Sequence, residues 1–408
     1  MRRRKILFLQ KRLLFPTDSG GKIRTLNIIK HLARWHDITY LCNILPSEQP
    51  YIDSMNGIGL NLETIPWSES GRNTVAFYRD LALNIFSPYP FNVNKDFDPR
   101  LRARVLKLLQ QENFDLVVCD FVQMARNCLG IKTLPKLLFE HNVEAQIFER
   151  HAKQGSGLLL RAYMWLQWKK MHQFERRAGR DFDLVVAVSD QDRASFENRY
   201  DWRHTRVIGT SVDTDYYFPE DVPVVPRRCT FVGSMDWLPN EQAVIYFVQR
   251  IWPLVRRRFS DATFQIVGRN PPRSIAVFDQ QDGVSVTGNV PDVRPYLAGS
   301  EVVVIPLRVG GGTRLKVFES MAMGKPIVST TLGVEGLPVE NLTHLLLADD
   351  PETFAMQIGR LFDDQLLRRR LTEESLSFVR SKHGTETIAM QFNSICEEAI
   401  NLGRGGSD

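Results

Sequence analysis

Residues 301–330 read EVVVIPLRVGGGTRLKVFESMAMGKPIVST, and this stretch restricts the fold more than any other. Its first five residues are a β-branched run suited to a strand buried on both faces, as in a parallel sheet covered by helices. Gly310, Gly311 and Gly312 then allow a sharp turn and a close backbone approach to a ligand, and Thr313 is placed to cap a helix running to about Met323. Gly324 ends that helix, and residues 325–329 begin another strand. A strand, a glycine loop and a helix N-terminus offer unpaired N–H groups and a favourable dipole to an anion, with Arg314 and Lys316 in the first turn. Glu319 follows Lys316 on the same helix face, roughly 4.5 Å further along the axis. A diphosphate at the helix end would leave its ribose near that carboxylate. Spacing alone also allows a solvated Lys316–Glu319 pair worth a few tenths of a kcal/mol.

A chain of 408 residues exceeds one ordinary core and suits two α/β domains of about 200 residues each. Hydrophobic content of 43% and charged content of 24% belong to a globular protein that is not intrinsically disordered. The net charge of +5 suits an anionic small molecule or a membrane surface as well as nucleic acid, and so decides little. Cys42, Cys119, Cys128, Cys229 and Cys396 are scattered without metal-binding spacing and read as incidental thiols of a reducing compartment. The opening MRRRK precedes only a few apolar residues before Gln10, Lys11 and Arg12, so residues 5–9 read as a first strand and not as a signal sequence. No run approaches the ~18 to 20 apolar residues of a membrane span.

Along the chain, short apolar runs alternate with amphipathic segments, the pattern of doubly wound α/β domains. Gly20 and Gly21 open a helix over about residues 22–35 and again permit close backbone approach, although this is no GxGxxG. The run KLLFE ends in Glu140 and His141, polar residues directly after a parallel strand, where α/β proteins place ligands. Residues 145–180, rich in Leu, Trp, Arg and Lys, read as a helix that either packs an apolar stripe on its domain or meets a membrane surface. Asp213-Thr214-Asp215 has the form of a metal motif but sits in a stretch that reads as solvated linker, and the sequence offers no metal site. CTFVG, ending in Gly233 and followed by Ser234, and ATFQIVG, ending in Gly268, are the first strands of the second half. Val290 lies in the NVPDVR loop beyond the next strand.

The wording GGGTRLKVFESMAMGKPIV resembles the nucleotide-sugar site of retaining glycosyltransferases of the GT-B fold, in family 4. The segment RVIGTSVDTDYYF and the strand carrying DLVVAVS resemble further parts of that family. The resemblance implies an α/β GT-B protein of two doubly wound Rossmann-like domains facing across a cleft. They are expected at residues 1–208, with the helix at 385–402 packing back on them, and at 228–384, joined by a linker at 209–227. It further implies that Glu319 bonds the ribose, that Gly20, Gly21, Gly233, Ser234, Gly268, Gly311, Gly312 and Thr313 line the donor, and that the loop of Val290 cradles the base. His141 would point at the donor sugar, with Arg314 and Lys316 on the diphosphate as the other catalytic groups. Two departures from the family pattern matter. The first of two Glu common in the family is replaced by Gly311, and an Arg and a Lys common after the first strand of the second domain are replaced by Ser234 and Pro239.

The expected activity is transfer of a sugar from a nucleotide diphosphate sugar to a hydroxyl of a glycan, lipid-linked or small-molecule acceptor, without metal or other cofactor and without nucleic acid. The expected location is the cytoplasm, with possible peripheral contact at the inner membrane face. A noncatalytic sugar-nucleotide or glycan-binding protein and a nonhydrolysing sugar-nucleotide epimerase are the alternatives on the same scaffold.

Overall fold

The computed structural model describes residues 2–17, 19–69, 71, 74–154, 157–309 and 314–405. Two compact units emerge, one of Met1–Gly209 with Ile388–Asp408 and one of Thr210–Thr387.

Among the described residues, the first unit holds strands β1 (Lys5–Gln10), β2 (Asp37–Ile44), β3 (Asn61–Pro66), β4 (Leu116–Asp120), β5 (Lys136–Phe139), β6 (Leu184–Ala187) and β7 (Thr205–Val207). They form one parallel sheet in the order β3-β2-β1-β4-β5-β6-β7. Successive residues point to opposite faces, so each strand feeds two cores. Leu7, Leu9, Val117, Cys119 and Val185 meet Met171, Phe174 and Ala178 of the helix Leu158–Asp181. Ile6, Phe8, Leu116, Val118 and Val186 meet Leu26, Ile29 and Leu32 of the helix Gly20–Trp35. The same core takes Ile388, Phe392 and Ile395 of the helix Thr385–Gly405, whose Glu397 pairs with Arg4. The strand order reverses between β1 and β4, and the carboxyl ends there open the crevice where such sheets bind ligands.

The second unit repeats the plan with β8 (Arg228–Val232), β9 (Thr263–Val267), β10 (Val284–Val286), β11 (Val302–Ile305), β12 (Ile327–Ser329) and β13 (Leu346–Leu347). Their order is β10-β9-β8-β11-β12-β13, again parallel, with the reversal between β8 and β11.

Several local expectations need correction. Residues 145–180 are not one helix but two, Glu144–Gln154 and Leu158–Asp181. The second starts after Gly157 at φ 94°, a conformation closed to most residues. The helix after β8 begins at Leu238 and changes to a wider π turn over Phe247–Ile251 before continuing as Trp252–Arg258. Pro253 lacks an N–H for the ordinary ladder, which accounts for the altered turn. Residues 210–227, expected as linker, belong to the second unit: Val212 lies in its core with Tyr217 packed against it. Asp213 uses its carboxylate to accept the N–H groups of Asp215 and Tyr216, which makes it a turn residue.

Candidate functional site

In the second unit the carboxyl ends of β8 and β9 approach unusually closely. A Cβ on Gly268 would lie 1.7 Å from the Gly233 carbonyl oxygen, so only glycine fits there. A Cβ on Gly233 would in turn lie 2.7 Å from Asn240 Nδ2 and 2.9 Å from Lys316 Nζ. The space left by the missing side chain is thus where a lysine from a distant helix arrives. Lys316 Nζ donates to Asn240 Oδ1 at 2.7 Å and stands 4.3 Å from the centre of the Phe231 ring. Asn240 is held by its own Nδ2, which donates to the Ser234 carbonyl at 2.8 Å.

The helix carrying Lys316 is Leu315–Ala322, and Glu319 lies one turn further along it. Burial pushes the Lys316 ammonium down to about 7, with the Glu319 carboxylate opposing the shift and the Arg314 guanidinium adding to it. Burial also raises the Glu319 carboxyl, against the pull of Lys316 and of a hydrogen bond donated by Tyr217. A lysine with a labile proton, a carboxylate and a tyrosine are therefore gathered at the head of a helix beside a topological switch point. Such a group can take an anion through the ammonium and polyol hydroxyls through the carboxylate.

Arg314 is placed differently from expectation. It is the N-cap, not a first-turn residue, in a left-handed conformation at φ 48°, and its buried guanidinium lies 3.7 Å from Glu335. Gly311, Gly312 and Thr313 lie outside the described residues. Val290 is partly buried in the loop after β10, and Ser234 sits at the turn after β8. Ser234 donates to Asp236 and accepts from Arg269 Nε at 2.8 Å. Arg269 therefore stands beside the place where a basic residue was noted as absent, as Lys316 stands near Asn240, next to Pro239. Sequence reading missed Arg269, Asn240 and Tyr217. The position of Arg269 directly after Gly268, the glycine that follows β9, was an available signal.

The first unit gathers a second polar group at its own switch point. Asp120, the last residue of β4, is fully buried and accepts from Gln10, from Thr25 Oγ1 at 2.7 Å and from His141 Nε2 at 2.7 Å. The other ring nitrogen of His141, Nδ1, takes an N–H of Arg24 at 3.2 Å. This fixes the proton on Nε2, and burial lowers the imidazole's proton affinity, opposed by the Asp120 carboxylate. The ring stacks on Phe121, with centroids 4.0 Å apart. Phe121 has φ 69°, rare for a side chain of its size, and a Cβ on Gly21 would meet its ring at 2.6 Å. Gly21 is thus accounted for by packing, and Gly20 begins the helix without a side-chain cap from Ser19. Both nitrogens of His141 are occupied within the protein, which differs from the direct sugar contact that the resemblance implies. Asp120, Thr25 and Arg24 were not singled out from sequence, although a strand VVCD ending in a carboxylate is the pattern that marked His141. Among the described residues no cluster of His, Cys, Asp or Glu is arranged to hold a metal ion.

Two Rossmann-ordered sheets, one with a lysine and a carboxylate on a helix at its switch point, define an α/β protein of the nucleotide-binding class. The family models agree: one described as Glycosyltransferase Family 4 matches residues 19–216, and one described as Glycosyl transferases group 1 matches residues 226–364. The chain belongs to this family of glycosyltransferases and has the GT-B fold. HepE of Anabaena, solved with UDP-glucose, shares the fold at a TM-score of 0.66 and 14% identity over 97% of this chain and 100% of its own. TarM shares it at 0.68 and 11% identity over 97% and 99%. A Klebsiella pneumoniae protein described as an uncharacterized 44.6 kDa protein in cps region is 20% identical over 97% of this chain and 99% of its own.

Proposed function

We propose that this glycosyltransferase takes a nucleotide diphosphate sugar on its second unit and transfers the sugar, with retention of anomeric configuration, to a hydroxyl of a glycan or lipid-linked acceptor. The Lys316 ammonium, held at the carboxyl edge of β8 with Glu319 one turn further along its helix, is the observation that carries the reading. The diphosphate would lie against Lys316 and the helix N-terminus, with Arg269 as a second cation at the Ser234 turn. Glu319 would accept from the ribose hydroxyls. As the glycosidic bond breaks, the leaving diphosphate gains about one negative charge, so a cation here stabilises the transition state more than the ground state. Arg314 contributes through the conformation of the helix start, since its guanidinium is buried against Glu335. His141 acts as a positioning residue that holds Arg24 and Asp120 in register.

The donor bound by the Anabaena relative and the cps-region setting of the Klebsiella protein fit a role in polysaccharide assembly. The test is incubation with UDP-, GDP- and ADP-sugars and a panel of glycosyl acceptors, followed by NMR of the new anomeric centre. An anomer matching the donor supports the proposal, and an inverted anomer overturns the retaining part. Interconversion of the donor sugar without acceptor would favour the epimerase instead.

A further inference from the structure

Two neighbouring helices of the first unit expose apolar side chains that its cores do not use. On Val75–Asn84 and the turn after it, Val75 and Phe86 are each 88% exposed, with Tyr78, Leu83 and Ile85 also open to solvent. On Leu158–Asp181 the first turn carries Leu158 at 83% and Leu159 at 89% exposure, followed by Leu160 and Trp165. The two elements are tied together. Lys170 Nζ donates to the carbonyls of Asn84 and Ile85 at 2.6 and 3.0 Å, and Gln167 Nε2 donates to Asn84 Oδ1 at 2.9 Å.

From Leu158 to Arg180 the charges of the longer helix have one sign where they meet solvent, and the partly exposed Asp181 at its end is paired with Lys136. Arg161, Lys169, Arg176, Arg177 and Arg180 are exposed, whereas the single carboxylate between Leu158 and Arg180 is Glu175. That carboxylate is fully buried, accepting from Tyr200 and the N–H groups of Glu144 and Ala145. Lys169 stands over Trp165 at 5.5 Å, a basic and aromatic pairing suited to the headgroup layer. On neighbouring elements the acids are matched by cations: Asp80 by Arg79, and Glu149 by Lys153 and Arg199.

We propose that this surface docks the protein on an anionic lipid bilayer, with Leu158, Leu159, Val75 and Phe86 entering the interface and the exposed cations meeting lipid phosphates. A protein partner would cover such side chains with a shaped apolar surface. The one-signed basic face running from the leucine tip instead complements a sheet of anionic headgroups. The inference does not depend on the donor assignment.

Flotation of the full chain with vesicles of phosphatidylcholine and phosphatidylglycerol at about three to one, against pure phosphatidylcholine, tests it. Binding is expected to the anionic vesicles, to weaken with salt, and to fall about tenfold or more in L158E/L159E and in V75E/F86E. R161E/K169E is expected to lose the preference for anionic lipid. Each variant's thermal transition is measured alongside, so that a folding failure is recognised, and Trp165→Phe provides a milder substitution. No flotation of the unaltered chain, or flotation untouched by all these changes, overturns the proposal. So does an oligomer that the leucine variants dissociate while the vesicles stay bare, which would assign the surface to a second copy.

Discussion

Lys316 is the residue whose chemistry is most exposed to test. Its ammonium titrates near 7 in the unliganded protein because burial disfavours the charge, and a diphosphate at the same place would restore it. A group whose proton affinity rises on binding contributes affinity that is complete below its free value and is lost as pH climbs toward its bound value. Donor affinity is therefore expected to be level below pH about 7 and to fall above it, with proton uptake on binding at pH 8 seen by calorimetry in buffers of different ionisation enthalpy. Lys316→Ala should bind more weakly and flatten this profile, and an unaltered profile would place the titration elsewhere. Glu319→Ala should weaken donor binding by about 1.5–3 kcal/mol, the range for hydrogen bonds to a charged acceptor. At His141 the buried bonds to Asp120 and Arg24 make stability the first readout. His141→Ala should lower the unfolding free energy by about 2–4 kcal/mol in denaturant melts, and a fully stable variant with impaired turnover would restore a direct role at the sugar.

At the scale of elements, the site depends on how closely two strand ends approach. Gly268→Ala places a methyl 1.7 Å from the Gly233 carbonyl, so β9 must move away from β8 and carry the Ser234 turn with it. Loss of donor-induced stabilisation together with ~1–3 kcal/mol of folding stability is expected, and a neutral outcome would show that the approach is not needed. The helix start makes a complementary case: Arg314→Gly relieves the left-handed backbone at φ 48° while removing the guanidinium, whereas Arg314→Val worsens it. The parallel strands were legible because a run such as VVVI or LVVA has few alternatives to a strand buried on both faces. Lys316 and Glu319 were legible because residues three apart on a helix share a face. Asn240 and Tyr217 were not, since they reach the site from other elements through strand order and a carbonyl-bound side chain, which no local spacing encodes, whereas Arg269 had a local mark in its place directly after Gly268. The π turn before Trp252 and the break at Gly157 were missed because apolar periodicity continues across both.

For the whole molecule, two parallel sheets with separate cores carry a polar group at each switch point, and in the second that group combines Lys316 and Glu319 with the start of the helix Leu315–Ala322. Transfer is expected to persist in EDTA, because the proposed site balances the diphosphate with Lys316, Arg269 and backbone N–H groups. Full loss restored by Mg²⁺ would contradict that. The most direct measurement is thermal unfolding of the full chain against UDP-, GDP- and ADP-sugars, with Lys316→Ala in parallel. One donor class should raise the transition saturably, by ~2.7 kcal/mol of stabilisation at a hundredfold excess over its Kd, and the substitution should diminish the rise. No stabilisation by any of them, or stabilisation that Lys316→Ala leaves intact, would contradict the assignment of the donor site.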